Sequence, residues 1–253
     1  LNGGNGKEKA KRLYPETGPF QGLRGDQAFL DALYIAHLRP GDQARDIIVK
    51  ECDPGGGHSC WCYDEGLNLL WSKTVDQPRH GHHFGFYDFD GDGLEEICAG
   101  YHLLGPEGEV RWRIEGGLSF EVFQYGRHAD SCAGGDFDGD GDLDLALGAY
   151  NSSPNGNGGL GSVYIFENPS GALMERLDGP DWGSSNHFGH GILCPGDTNG
   201  DGRDELMVNQ NGHHPIPNEA LIYGMDTTGT WSERYRVIAE QSTGNSGPNE
   251  QPS

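Results

Sequence analysis

Three short stretches carry oxygen-bearing side chains at one fixed spacing. In the first, Asp88, Asp90, Asp92 and Glu96 stand at positions 1, 3, 5 and 9, with Gly93 at position 6. The second repeats this with Asp136, Asp138, Asp140 and Asp144, and the third with Asp197, Asn199, Asp201 and Glu205. A hard cation that takes about six to eight oxygens can be wrapped by such a loop, with the position 7 carbonyl of Leu94, Asp142 or Arg203 completing the shell. Gly93 supplies a turn that a Cβ would resist. There is no Glu at position 12 and no helical flank, so these loops join strands. Like charges this close destabilise one another unless a cation offsets them. Ca2+ at three sites is therefore the expected cofactor.

A second constellation is basic and aromatic. Of the eleven His, His80, His82 and His83 precede the first acidic loop and His102 follows it. His128 precedes the second loop, and His187 and His190 precede the third. If the strand before each loop lies near a common axis, His82 or His83, His128 and His187 line one mouth, accompanied by Arg79, Arg127 and Tyr125. A neutral imidazole can take a proton near pH 7, because its ordinary pKa is about 6.5. The competing reading has each His bonding neighbouring backbone and holding the axial channel together. Six Cys permit disulfides. His58, Cys60 and Cys62 form a spacing that can bind zinc, while Cys98, Cys132 and Cys194 read as small buried hydrophobes. A glycosylation sequon at Asn151 matters only if the source glycosylates, and the three-letter Arg-Gly-Asp at Arg24–Asp26 is too weak to support adhesion.

The elements that must position these groups are repeated. DFDGDGLEEICAG from Asp88, DFDGDGDLDLALGA from Asp136 and DTNGDGRDELMVN from Asp197 are copies of one unit. A worn fourth copy, PGDQARDIIVKE from Pro40, aligns Asp46 with Glu96 and puts Leu38 and Pro40 at loop positions 1 and 3. That repeat is expected to hold no metal. Each copy lies between two β-like runs and is followed by a second hairpin, such as YHLLGPEGEVRW or VYIFENPSGALMERL. Four strands recurring about every 45–60 residues is the form of a β-propeller blade. The expected fold is all-β: an extension over 1–25, about four four-stranded blades over 26–240, and a flexible tail over 241–253. Four is the low end for a closed ring, so the blades also suit part of a larger or oligomeric ring with open edges that associate.

Composition excludes other classes. A net charge of −22 repels phosphate, which argues against a nucleic-acid partner. No apolar run approaches the roughly 18–20 residues of a membrane span. A mean hydropathy of −0.65 would suit disorder, but 10% aromatic content and spaced apolar runs argue for a packed core. The chain begins at Leu1 without Met or a signal pattern, which reads as a processed or trimmed product.

The loops, with HFGHGILCPGDTNGDG and GSVYIF around them, resemble the FG-GAP/VCBS repeats of integrin-type and bacterial surface propellers over residues 28–230. That resemblance implies calcium in hairpin loops and an extracellular or cell-surface location. A narrower stretch, residues 45–142, looks like the propeller polysaccharide lyases of the rhamnogalacturonan and ulvan type. It implies β-elimination on a uronate polymer. Arg79 or Arg127 with His102 would neutralise the carboxylate, His82 or His83 would remove the C5 proton, and Tyr125 or Tyr101 would protonate O4. The alternative is a non-catalytic adhesion or assembly subunit binding an acidic polysaccharide or cell-surface glycan.

Overall fold

The computed structural model describes residues 30–41, 45–51, 59–75, 83–113, 131–150, 152, 160–180, 187–210 and 219–238. They form four antiparallel four-stranded sheets, each running in simple up-and-down order. The first sheet contains β1 (Leu30–Ala36), β2 (Asp46–Glu51), β3 (Ser59–Tyr63) and β4 (Leu69–Thr74). The second contains β5 (Gly85–Tyr87), β6 (Glu96–Ala99), β7 (His102–Leu104) and β8 (Val110–Arg113). The third contains β9 (Ser131–Gly135), β10 (Asp144–Ala149), β11 (Ser162–Phe166) and β12 (Leu173–Asp178). The fourth contains β13 (Ile192–Gly196), β14 (Glu205–Gln210), β15 (Glu219–Met225) and β16 (Trp231–Ile238). Every strand pair expected from the repeats is present, and the acidic loops join the first and second strands of sheets two, three and four.

Alternation along the second strand explains how the sheets stack. Side chains point to opposite faces in turn. Ile97 and Ala99 therefore join the first sheet's Ile48, Cys60 and Cys62 in one core. Cys98, one residue out of phase, joins Leu145, Leu147 and Tyr164 of the third sheet. Ala146 faces the other way and packs with Leu206, Val208 and Leu221 of the fourth. Three apolar cores thus lie between consecutive sheets, and among the described residues none joins the fourth sheet to the first. The first strands lie against one another from sheet to sheet, β5 with β9 and β9 with β13, which places them toward the axis. The last strands are the exposed rim.

The first acidic-loop copy differs from its sequence alignment. Ala36 pairs with Asp46 as Tyr87 pairs with Glu96 and Gly135 with Asp144. Strand register therefore puts His37 at position 1 and makes this loop one residue longer. Leu38 takes position 2, where it is buried like Phe89 and Phe137, and Arg39 takes position 3. Counting backwards from Asp46 missed the extra residue because register is set by the strands and not by loop length. The loss of the acidic ligand pattern stands.

Candidate metal loops and the opposite end

Each acidic loop is built by its own carboxylates. The position 1 carboxylate accepts the N–H of the glycine at position 6: Gly93 to Asp88 at 2.9 Å, Gly141 to Asp136 at 3.1 Å and Gly202 to Asp197 at 2.9 Å. The glycines at these positions have φ of +89°, +100° and +87°, the left-handed region that only Gly adopts at little cost. The position 9 carboxylate turns back to the N–H at position 2: Phe89 to Glu96 at 2.8 Å, Phe137 to Asp144 at 3.2 Å and Thr198 to Glu205 at 2.7 Å. Glu96, Asp144 and Glu205 are buried, so each loop has a buried acid as its floor beneath more exposed ones.

Three clusters could hold a metal ion: Asp88, Asp90 and Glu96; Asp136, Asp138 and Asp140; and Asp197, Asp201 and Glu205. Within each, one carboxylate oxygen per residue lies within 4.8 Å of the others. Asp92 and Asp144 stand outside these triples. Asp92 accepts the Leu94 N–H at 2.8 Å, and Asp144 takes the Asn168 N–H at 3.2 Å. The Asn199 amide donates to Glu205 at 2.5 Å.

Burial pushes the Asp144 carboxyl up to about 7, with nearby Asp138 adding to the rise and the N–H groups of Asn168 and Phe137 opposing it. Burial also raises Glu96, Asp138 and Asp142. Asp197 is instead lowered, first by the Gly202 N–H. Because Asp144 lies above the ordinary carboxylate value, the folded metal-free chain holds that proton between about pH 4 and 7, and this group's contribution falls as pH rises through that window. A cation entering the loop must displace the proton. Calcium titrated calorimetrically at pH 6, in two buffers of different ionisation heat, should therefore release protons, and at pH 8 far fewer. Equal release at both values would contradict this.

Two arginines, missed in the sequence, bring internal positive charge to these ends. Arg39 contacts the fully buried Asp46 at 2.7 Å and Glu65 at 3.1 Å. A guanidinium thus stands, in the first sheet, beside the buried acid where the other three sheets gather further carboxylates. Arg111 of β8 reaches Asp90 and, at 3.2 Å, Glu96, and it holds Asp90 below the usual carboxylate range. A groove of about 610 Å³ between the first two sheets is lined by both arginines and Trp71. Its guanidiniums already face carboxylates.

Loops of neighbouring sheets are also clamped. Glu95 donates its N–H to the His37 carbonyl at 2.9 Å and accepts the His37 N–H on its carboxylate at 2.5 Å. Asp204 treats Asp136 in the same way, at 2.8 and 3.1 Å. The acid at position 8 of one blade thus grips position 1 of the blade before it. The doublets Glu95-Glu96 and Asp204-Glu205 were the sequence signal.

Among the described residues, histidines occupy the other end of the second and fourth sheets, while His37 sits at the loop end of the first. Gly85 pairs with Cys98 and Ala99 with His102, so His83 and His102 lie at the end of the second sheet away from its acidic loop. His83 is exposed; His102 is 3% exposed and Tyr101 is fully buried. His187 and His190 precede β13 at the corresponding end and flank Tyr150, with ring centroids 5.3 and 4.9 Å from it. Tyr150 is a member that sequence reasoning missed. His58, His80, His82, His128, Arg79, Arg127, Tyr125 and Cys52 lie outside the described residues. The remaining five cysteines are free thiols. Burial drives Cys60 and Cys62 up to about 12.

Comparison with known proteins agrees with this architecture. A search of curated proteins finds no match. The Dos1 propeller matches with a TM-score of 0.51 and 11% identity, over 84% of this chain and 47% of that one. The biofilm matrix protein Bap1 of V. cholerae matches at 0.40 and 18%, over 84% and 40%. The rhamnogalacturonan lyase PL11 of Bacillus licheniformis matches at 0.36 and 16%, over 85% and 35%. The chain spans less than half the length of each, and at these identities the likeness concerns the fold. Residues 130–166 match the FG-GAP repeat family. The chain is thus built on a β-propeller fold and carries an FG-GAP repeat over the first three strands of its third sheet.

Proposed function

We propose that this protein is an extracellular calcium-binding propeller that binds a uronate-containing polysaccharide at the histidine end of its sheets and cleaves it by β-elimination. The observation that carries the calcium reading is the set of three carboxylate triples, built on loops whose position 9 acids are buried. Their donors are oxygen alone, which favours a hard cation over zinc or copper, and the count of side chains plus the position 7 carbonyl suits calcium. An extracellular setting is in keeping with that demand and with the FG-GAP match.

The polysaccharide reading is supported by the separation of the two ends. The acids sit at one end of each sheet, while His83, Tyr150, His187 and His190 sit at the other, where a polyanion meets less repulsion. In β-elimination a base takes the C5 proton, the C4–O4 bond breaks, and an acid protonates O4. Exposed His83, or His82, suits the base. Arg79 or Arg127 would neutralise the carboxylate and Tyr125 would serve O4. The burial of His102 and Tyr101 makes them supports behind that surface. Incubation with pectic and ulvan-like polymers should release unsaturated uronate, followed by its ultraviolet absorbance. The double substitution His82→Ala, His83→Ala should cut that release by about 10²–10⁴-fold while leaving the melting curve and calcium binding unchanged. A native chain that releases nothing rejects catalysis. A second reading, an assembly subunit, is favoured by the uncovered apolar faces of the first and last sheets.

A further inference from the structure

The repeat supplies its own controls for what an inter-blade face should bury. The residue after position 9 faces the preceding blade: Ile97, Leu145 and Leu206 are at most 1% exposed there. Its counterpart in the first sheet, Ile47, is only half-buried. Beside it Leu33 and Ile35 of β1 are each 64% exposed. Trp61, across the sheet from Val49, is buried, but the row through Ile35 and Ile47 continues to half-buried Tyr63 and to Leu69, 46% exposed. The next residue along faces the following blade: Ile48, Cys98 and Ala146 are fully buried. Met207, its counterpart in the fourth sheet, is not. It sits in a cross-strand row with Leu193, Ile222 and Tyr235, whose outer members Leu193 and Tyr235 are 52% and 58% exposed.

We propose that these two faces are the halves of one unfinished blade junction, and that a second copy of the chain completes it twice, closing a two-fold ring of eight blades. Three observations name the occupant. The fourth sheet presents the face that every earlier sheet buries against its successor, and the first sheet presents the face that every later one buries against its predecessor. One chain carries both halves, so a copy supplies each complement. The described arc matches 47% of the Dos1 propeller, so two arcs make about one ring of that kind. Charge also agrees. At the clamp position, where Glu95 and Asp204 grip the preceding blade, the first sheet has Arg45. The loop it would meet on the copy is that of the exposed Asp197, so a cation faces an acidic loop. Burying large exposed apolar side chains supplies the driving force. The proposal holds whether or not the chain acts on a polysaccharide.

Light scattering and sedimentation of the 253-residue chain with calcium should give twice the chain mass of 27.4 kDa. Ile35→Glu and Tyr235→Glu, on the two faces, should each weaken association by at least about tenfold with unchanged circular dichroism. Mixing the two variants leaves one intact junction and should return a heterodimer, weaker than the native dimer. A native chain that stays monomeric at about 100 μM, well above the usual micromolar range of specific association, would overturn the proposal. So would variants that dimerise like the native chain, or a mixture that does not pair.

Discussion

Excess chelator should lower the melting temperature by about 15–30 °C. A cation present at about a hundred times its dissociation constant adds roughly 2.7 kcal/mol per site when only the folded state binds it. Three such loops sum to about 8 kcal/mol, and at this chain length each kcal/mol moves the transition by about 2–4 °C. The physical origin is the buried floor of each loop, where Glu96, Asp144 and Glu205 lie beneath further acids. The loss should also be uneven. On the calcium reading, sheets two to four would lose their cation, whereas Asp46 of the first is matched by Arg39 at 2.7 Å. Hydrogen exchange in chelator should therefore accelerate in β5–β16 more than in β1–β4. A melting curve indifferent to chelator would reject the calcium sites, and uniform acceleration would reject the role given to Arg39.

Gly161→Ala should destabilise the fold by on the order of 2–5 kcal/mol. Gly161 has a φ of +83°, and an added Cβ would sit 2.1 Å from the Phe188 carbonyl oxygen and 2.8 Å from the Phe188 nitrogen. The left-handed conformation costs a Cβ about 1–2 kcal/mol, and overpacking costs about 1–3 more. The neighbour cannot yield cheaply, because it is backbone. Phe188 is fully buried and its N–H donates to the Leu160 carbonyl at 3.2 Å. Gly161 also accepts the Gly179 N–H at 3.0 Å and donates to Ser152 at 3.1 Å. The junction of the third and fourth sheets turns on this close approach. Urea unfolding would measure the loss, and a shift within about 0.5 kcal/mol, the range of an ordinary surface change, would show that the contact is not tight.

Much of this architecture was written in local chemistry. The positions 1, 3, 5, 6 and 9 of each loop, and the alternation after position 9, fixed where the strands begin, which faces are apolar and where a cation would go. Those properties depend on residues close in sequence, so a repeat displays them openly. Strand register, blade-to-blade contact and the pairing of distant charges do not. The extra residue in the first loop is invisible until Ala36 is seen opposite Asp46. Arg39 then becomes a stand-in for a cation, and Arg111 reaches Asp90 from 21 residues away along the chain. Tyr150 joins His187 and His190 only because two sheets stack. The open ends of the arc are likewise a tertiary fact. Leu33, Ile35, Leu193 and Tyr235 look like core residues by type, and only the packing of the sheets leaves them uncovered.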